Sequence, residues 1–428
     1  MKNDNIDKGN IYKPIYYGNW EERILYDLAV WKNGLAFKNI NFTDIGKPVI
    51  KIAELKNGIT SQTKFTQDIF DDSVYLTKGD MLFSWSGNPE TSIDVFYYDL
   101  PDGWLNQHIF KITTKDDVFY EYFFYILKYL KPNFTVIATN KQTTGLGHVT
   151  INDLKRIKIK LPPLEEQKKI ASILSSLDDK IELNNRMNKI LEETAQTIFK
   201  EWFINFNFPN EEGKPYKKSG GKMIESELGE IPEGWEVDIL SNIFDISIGK
   251  TPPRKETECF SNNDKDMKWV SISDMGKSGL YLLDTSEYLT LDAVNKYNVI
   301  IVPKDTIILS FKLTIGRVSI VYEDMTTNEA IAHIKTNNKK LNEYTYFYLK
   351  NFKYSTLGST SSIAQAVNSK LIKSIKFMLP DTNILNDFHL KTKDIFNKIK
   401  YNQIENQKLA GIRDSILPKL MSGEIRIK

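Results

Sequence analysis

The chain carries an internal repeat. Glu121-Tyr122 followed by Leu127-Lys128 returns 222 residues later as Glu343-Tyr344 and Leu349-Lys350. Ile157-Lys158 with Leu161-Pro162 returns 218 residues later as Ile375-Lys376 with Leu379-Pro380. A long heptad run follows each copy of that second block. A sequence of this kind must build two similar globular halves and two long helices. Such a molecule suits a target that comes in two parts at a fixed separation.

The smaller blocks follow the same order. Trp20, Leu25, Leu28 and Gly34 match Trp235, Leu240, Ile243 and Gly249 at an offset of 215. Each set reads as a tryptophan-led entry, a short amphipathic turn and a glycine turn. Val49 to Glu54 matches Trp269 to Asp274 as an alternating strand. Lys78-Gly79-Asp80 launches the buried strand Met81 to Trp85, and Lys304-Asp305 launches Ile307 to Phe311. Asn106 and Ile109 match Asn328 and Ile331. Helices dense in Tyr and Phe are predicted over Glu121 to Lys131 and Glu343 to Lys353. Their aromatic faces suit a core better than base stacking, because aromatics at helical spacing usually pack. Polar loops follow, Thr139 to Gly147 and Ser359 to Gln365. A strand ending in Leu-Pro closes each half, with Ile157, Ile159 and Leu161 on one face and Lys158 and Lys160 on the other.

After Pro162-Pro163 the period changes. Ile170, Leu174, Leu177, Ile181, Asn184, Asn188, Leu191, Ala195, Ile198 and Trp202 are spaced alternately by four and three residues. Moved on by 218, they become Phe388, Thr392, Ile395, Ile399, Asn402, Asn406, Leu409, Arg413, Ile416 and Leu420. This is a coiled-coil seam. Asn at a core position costs stability but fixes register and partner. Two Asn layers at the same place in both helices predict that the helices pair with each other, and one helix after each half makes the antiparallel solution the symmetric one. A helix from about Glu166 to Phe203 is roughly 50–55 Å long. That is roughly one and a half turns of DNA at about 3.4 Å per base pair, so the pair reads as a ruler in preference to a plain strut. The stretch from Phe208 to Gly229, with Pro209, Gly213, Pro215 and Gly220-Gly221, reads as a linker.

At 428 residues the chain has room for two or three cored domains. No apolar run is long enough to cross a membrane, and the polar start Met1 to Asn10 does not read as a signal peptide, so a cytoplasmic location is expected. The single cysteine, Cys259, excludes an internal disulfide and a Cys-based zinc site. A net charge of +2 neither demands nor forbids nucleic acid, since phosphate contact needs a local basic face. Catalytic constellations are missing. His108, His148, His333 and His389 show no metal spacing. Gly276-Lys277-Ser278 lacks the upstream glycine of a phosphate loop, Ser271 standing there, and Gly145-Leu146-Gly147 lacks a third glycine. Pro162-Pro163 and Pro252-Pro253 are not the Asn/Asp-Pro-Pro-aromatic pattern of an adenine methyltransferase. Spacing alone does not separate a nuclease carboxylate cluster from the acidic background.

Several segments resemble the specificity subunit of Type I restriction–modification systems. They are LPPLEEQKKIASIL (161–174), LDDKIELNNRMNKILEETAQTIFKEWF (177–203), LGEIPEGWEV (228–237) and RDSILPKLMSGEI (413–425). The resemblance covers nearly the whole chain, apart from about the first dozen residues, and implies an α+β protein: two tandem α/β target recognition domains joined by two long helices forming an antiparallel coiled coil. On this pattern, 1–162 is the first recognition domain, 163–207 the first helical region, 208–229 a linker, 230–380 the second recognition domain and 381–428 the second helical region. The family's subunit is non-catalytic and reads a bipartite sequence in double-stranded DNA. It binds two modification subunits, which methylate adenine with S-adenosylmethionine, and restriction subunits that cleave with ATP and Mg. No cofactor is expected on this chain itself. The second helical region departs from the pattern: Pro380-Asp381-Thr382-Asn383-Ile384-Leu385 replaces Pro-Pro-Leu-Glu-Glu-Gln. The first half also opens with Tyr17-Gly18-Asn19-Trp20 where the second has Pro232-Glu233-Gly234-Trp235.

Family motifs mark scaffold, so candidates for DNA contact rest on side-chain chemistry. In the first half they are Ser84, Trp85, Ser86, Lys141, Gln142, Thr143 and Thr144. In the second they are Arg254, Lys312, Arg317, Thr360, Ser361, Ser362 and Gln365. Lys and Arg suit phosphate or guanine, Gln suits adenine, and Ser and Thr suit either. Replacing Arg317 by Ala is expected to weaken one half-site only. Two other readings compete: the recognition region of an enzyme that itself methylates or cleaves DNA, and a scaffold that pairs two binding modules without DNA.

Overall fold

The computed structural model describes residues 16–17, 19–37, 40–142, 145–357 and 368–427. They form two compact units: residues up to 180 together with those from 409 onward, and residues 181–408. Each unit takes in a globular half and one end of both long helices, Leu164–Phe199 and Thr382–Ser422.

In the first unit the entry strand Glu21–Ile24 pairs antiparallel with the closing strand Lys158–Leu161. Ile159 and Leu161 are buried while Lys158 is exposed, as period-two alternation requires of a half-buried strand. The main sheet is antiparallel, in the order Ala29–Asn33, Ile109–Thr114, Met81–Ser84, Asp94–Tyr97. Against it packs the helix Tyr120–Tyr129, with Tyr122, Phe123, Tyr125, Ile126 and Leu127 buried. Trp31 meets Phe83, Phe110 and Phe123 edge-on, at centroid distances of 6.0, 5.9 and 5.8 Å. The aromatic helix is therefore core, each large side chain contributing about 1.5–3 kcal/mol by burial.

The second unit repeats this plan. Glu236–Ile239 pairs with Lys376–Leu379. The main sheet runs Asp245–Ile248, Ile331–Lys335, Ile307–Ser310, Val318–Val321, Tyr281–Leu282, with only the last pair parallel. The helix Asn342–Asn351 buries Tyr344, Tyr346 and Phe347.

Three local expectations are corrected. The strands expected over 49–54 and 269–274 stop at Ile50 and Val270, and helices begin at Ile52 and Ile272. The cause is the acid three residues into each helix: Glu54 accepts from Lys51 N at 3.0 Å and Asp274 from Ser271 N at 2.8 Å. The polar loop expected from Thr139 starts later, because the helix Lys131–Asn140 holds Thr139 and Asn140. The linker expected over 208–229 is folded within the second unit. Phe208 stacks on Tyr216 and Trp235 at 4.6 and 5.2 Å, and Met223–Ser226 forms a hairpin with Gly229–Pro232. Aromatic anchors overrode the Gly and Pro composition there.

Every residue of the expected seam is buried or half-buried. In the second unit Asn184 Nδ2 donates to Asn406 Oδ1 at 2.9 Å and to Glu405 Oε2 at 2.7 Å, and Asn402 Nδ2 donates to Asn188 Oδ1 at 2.8 Å. Four residues forward on one helix meet four residues back on the other, so the helices run antiparallel. In the first unit Arg413 Nη1 bonds Asp178 Oδ1 at 2.6 Å. There the Glu-Glu-Gln motif has a structural use. Glu166 accepts both Arg426 Nε and Nη2, at 2.8 and 3.0 Å, and Trp20 Nε1 at 3.2 Å.

His333 is sealed in the second unit's sheet, with Ser247 Oγ 2.9 Å from Nδ1 and Thr327 Oγ1 2.7 Å from Nε2. Burial, with Lys335 adding to it, pushes the imidazole pKa down from 6.5 to about 4. Below pH 6.5 the unfolded chain takes up a proton that the folded unit refuses. Stability from this group is complete above pH 6.5 and is lost as pH falls toward 4, roughly 3 kcal/mol in all. In urea titrations of the second unit, His333→Gln should flatten the slope of stability between pH 4 and 6.5. An unchanged slope would remove His333 as its source.

Candidate nucleic-acid interface

Strand register decides which loops meet. In the first unit Asn33 pairs with Phe110, and Ser84 lies opposite both Ile109 and Asp94. The ends at 33, 84, 94 and 109 therefore share one edge of the sheet. In the second unit Ile248 pairs with Ala332, Ser310 with Ile331 and Leu309 with Val318, which gathers the ends at 248, 310, 318 and 331 in the same way. Each unit thus presents a cluster of loops at the matching edge.

In the first unit Trp85 dominates this edge. It is half-buried, its Nε1 donates to Asn33 Oδ1 at 3.0 Å, and its ring lies 5.4 Å from His108 and 5.9 Å from His148. A cavity of about 320 Å³ opens beside it, lined by Asn33, Trp85, Phe110 and residues 149–152. Burial, then the neighbouring His148, lowers the pKa of His108 below its ordinary value, and Gln107 Nε2 lies 3.1 Å from its Nε2. A ring face beside amide and imidazole groups suits stacking and base-edge hydrogen bonds.

In the second unit Arg254 forks onto Glu287 through two bonds of 2.8 and 3.0 Å, and its guanidinium lies over Phe260 and Trp269 at 4.3 and 4.6 Å. Thr251 Oγ1 donates to Glu329 Oε2. Burial raises the Glu329 pKa, but the Thr251 bond and the charges of Lys312 and Arg254 more than offset it, so the carboxyl stays below its ordinary value. The two expected cations thus share one electrostatic neighbourhood. Lys312 is exposed.

Several of the expected contact residues sit elsewhere. Ser84 is 0% exposed inside its strand, out of reach of any base. Ser86 is buried, its Oγ 2.9 Å from His148 Nδ1. Arg317 is half-buried, donating through Nη1 to Ile272 O at 2.6 Å and packing over Gly276. Lys141 is exposed but bonded to both oxygens of Asp153 at 2.6 Å, and Gln142 is exposed. Thr143, Thr144, Thr360, Ser361, Ser362 and Gln365 lie outside the described residues. Gln107 and Glu329 were missed, although each directly follows the repeated Asn106 or Asn328 and the offset of 222 marks them. Asn33, His108 and His148 carry no comparable signal in the sequence, because strand register alone brings them to Trp85.

Two repeated α+β units, each with a loop cluster at the same sheet edge, define a tandem protein with two like-built surfaces of different lining. The family model described as the Type I restriction modification DNA specificity domain matches residues 17–193 and again 232–413, and the chain belongs to that family. It is 29% identical over 441 residues to the Type I restriction enzyme MjaIX specificity subunit of Methanocaldococcus jannaschii, covering 90% of this chain and 96% of that one. It is 28% identical over 344 residues to the HindI specificity subunit of Haemophilus influenzae, covering 68% and 74%. Its fold is similar to that of the Type I restriction–modification S subunit from M. genitalium, with a TM-score of 0.54 at 17% identity over 96% of this chain and 99% of that one.

Proposed function

We propose that this chain is the DNA-reading subunit of a Type I restriction–modification complex and is not itself a catalyst. The match of both repeats to one DNA specificity domain carries the reading. Each unit reads one half of a bipartite sequence in double-stranded DNA through its sheet-edge loops. Trp85 and Gln142 act in the first unit, Arg254 and Lys312 in the second. Lys141 and Arg254 are held by carboxylates, so phosphate or guanine takes them over by exchange. Two modification subunits methylate adenine with S-adenosylmethionine, and restriction subunits cleave with ATP and Mg. Those cofactors belong to the partners, and the complex works in the cytoplasm.

Mapping modified adenines in host DNA by single-molecule sequencing, with and without this gene, tests the proposal. A bipartite motif should vanish on deletion. A motif that persists, or a purified chain that methylates DNA alone, would overturn it.

A further inference from the structure

The loop between the strands Ile307–Ser310 and Val318–Val321 displays Leu313 at its tip, 98% exposed. Leu313 has a φ of +59°, a left-handed conformation that a branched side chain rarely adopts and that costs about 1–2 kcal/mol. The loop is braced from inside. Ser310, fully buried, donates through Oγ to Thr314 O at 2.6 Å and accepts from Arg317 N at 3.0 Å, while Gly316 N donates to Ser310 O at 2.9 Å. Arg317 then ties the far side of the loop to Ile272. These bonds hold an apolar side chain out in water, in a conformation it does not favour.

Its neighbours indicate what it meets. Lys312 and Thr314 are exposed on either side, and the only other exposed large apolar side chain of the loop is Ile315, at 40%. A protein interface rests on a broad buried apolar centre, whereas this is a point flanked by a cation and a hydroxyl. A single apolar side chain beside a cation matches the wedges that enter a base step while charged neighbours hold the phosphates. The corresponding loop of the first unit exposes only polar residues at its tip, Asn88, Glu90 and Thr91.

Resting on the DNA-recognition reading above, we propose that Leu313 is a wedge that enters a base step of the half-site read by the second unit and unstacks it. The wedge gives that half-site a preference for an easily unstacked step, such as pyrimidine–purine, and the first half-site lacks this element.

The test uses the full chain assembled with its modification subunits. The probes are duplexes carrying the mapped bipartite sequence, with 2-aminopurine scanned through both half-sites. Apart from the two target adenines, which the modification subunits flip out of the stack, the wild type should raise fluorescence at one further step, in the half-site read by the second unit. Leu313→Gly should abolish that rise and weaken binding about tenfold, with no loss of thermal stability, because glycine accepts the positive φ. Leu313→Met should keep both the rise and the affinity. A glycine variant that still unstacks and binds like wild type would overturn the wedge. So would one that weakens subunit assembly in the absence of DNA, which would place Leu313 on a protein surface. If the wild-type complex binds no bipartite duplex, the recognition reading itself fails, and the wedge with it.

Discussion

Gly249→Ala should unfold the second unit's sheet edge, and Gly34→Ala should do the same in the first. Neither glycine has a positive φ, so the demand is for space. A Cβ on Gly34 would run into the carbonyls of Asn106 and Leu105, and one on Gly249 into Thr327 and the Asn328 carbonyl, far inside the 3.0 Å that real Cβ atoms keep. These obstacles are largely backbone and cannot swing away. The same strands are cross-linked at this point, since Gly34 N donates to Ile109 O at 3.1 Å and Gly249 N to Ile331 O at 3.0 Å. Overpacking costs about 1–3 kcal/mol, and more where, as here, the obstacle is backbone that cannot give way. Hydrogen exchange read unit by unit should show protection lost in the sheet of the substituted unit. A variant whose exchange matches wild type would mean that the backbone yields more easily than its hydrogen bonds imply.

Gln167→Ala should destabilise the first unit by about 4 kcal/mol. Gln167 is 1% exposed, its Oε1 accepts from Phe119 N at 2.8 Å, and its Nε2 donates to Asp117 O at 3.1 Å and Pro162 O at 2.9 Å. Truncation leaves a backbone N–H and two carbonyls unpaired, at about 1–3 kcal/mol each. The matching position of the second half is Leu385, 4% exposed and packed in that unit's core. One amide has been replaced by apolar contact, which explains how the second helical region dispenses with the Glu-Glu-Gln motif. Gln167→Leu separates volume from hydrogen bonding: it fills the space yet leaves the same groups unpaired, so urea unfolding should find it nearly as unstable as the alanine variant. Stability restored by leucine would show that packing, not the amide, matters at this position.

The repeat was legible because its scaffold residues obey local rules. Trp20 and Trp235, Gly34 and Gly249, and the Leu-Pro strand ends each recur where backbone geometry needs them. The Asn positions were legible from heptad spacing alone. The alternating strands over 49–54 and 269–274 were misread because a capping acid, Glu54 or Asp274, outweighs period-two hydrophobicity. Among the expected contact residues, the surroundings of Ser84 and Arg317 were illegible for a different reason. Ser and Arg have the right chemistry for DNA, but the sheet seals one and a carbonyl holds the other.

The sequence by itself determined two similar α+β halves, two long helices and the positions of their buried asparagines, because periodicity and turn chemistry act over a few residues. Only the tertiary structure decided which loops share an edge, that Trp85 lies beside His108 and His148, and that Leu313 stands exposed while Arg317 is tied to the Ile272 carbonyl. Those facts depend on strand register and on contacts between residues dozens of positions apart, for which local sequence carries no rule.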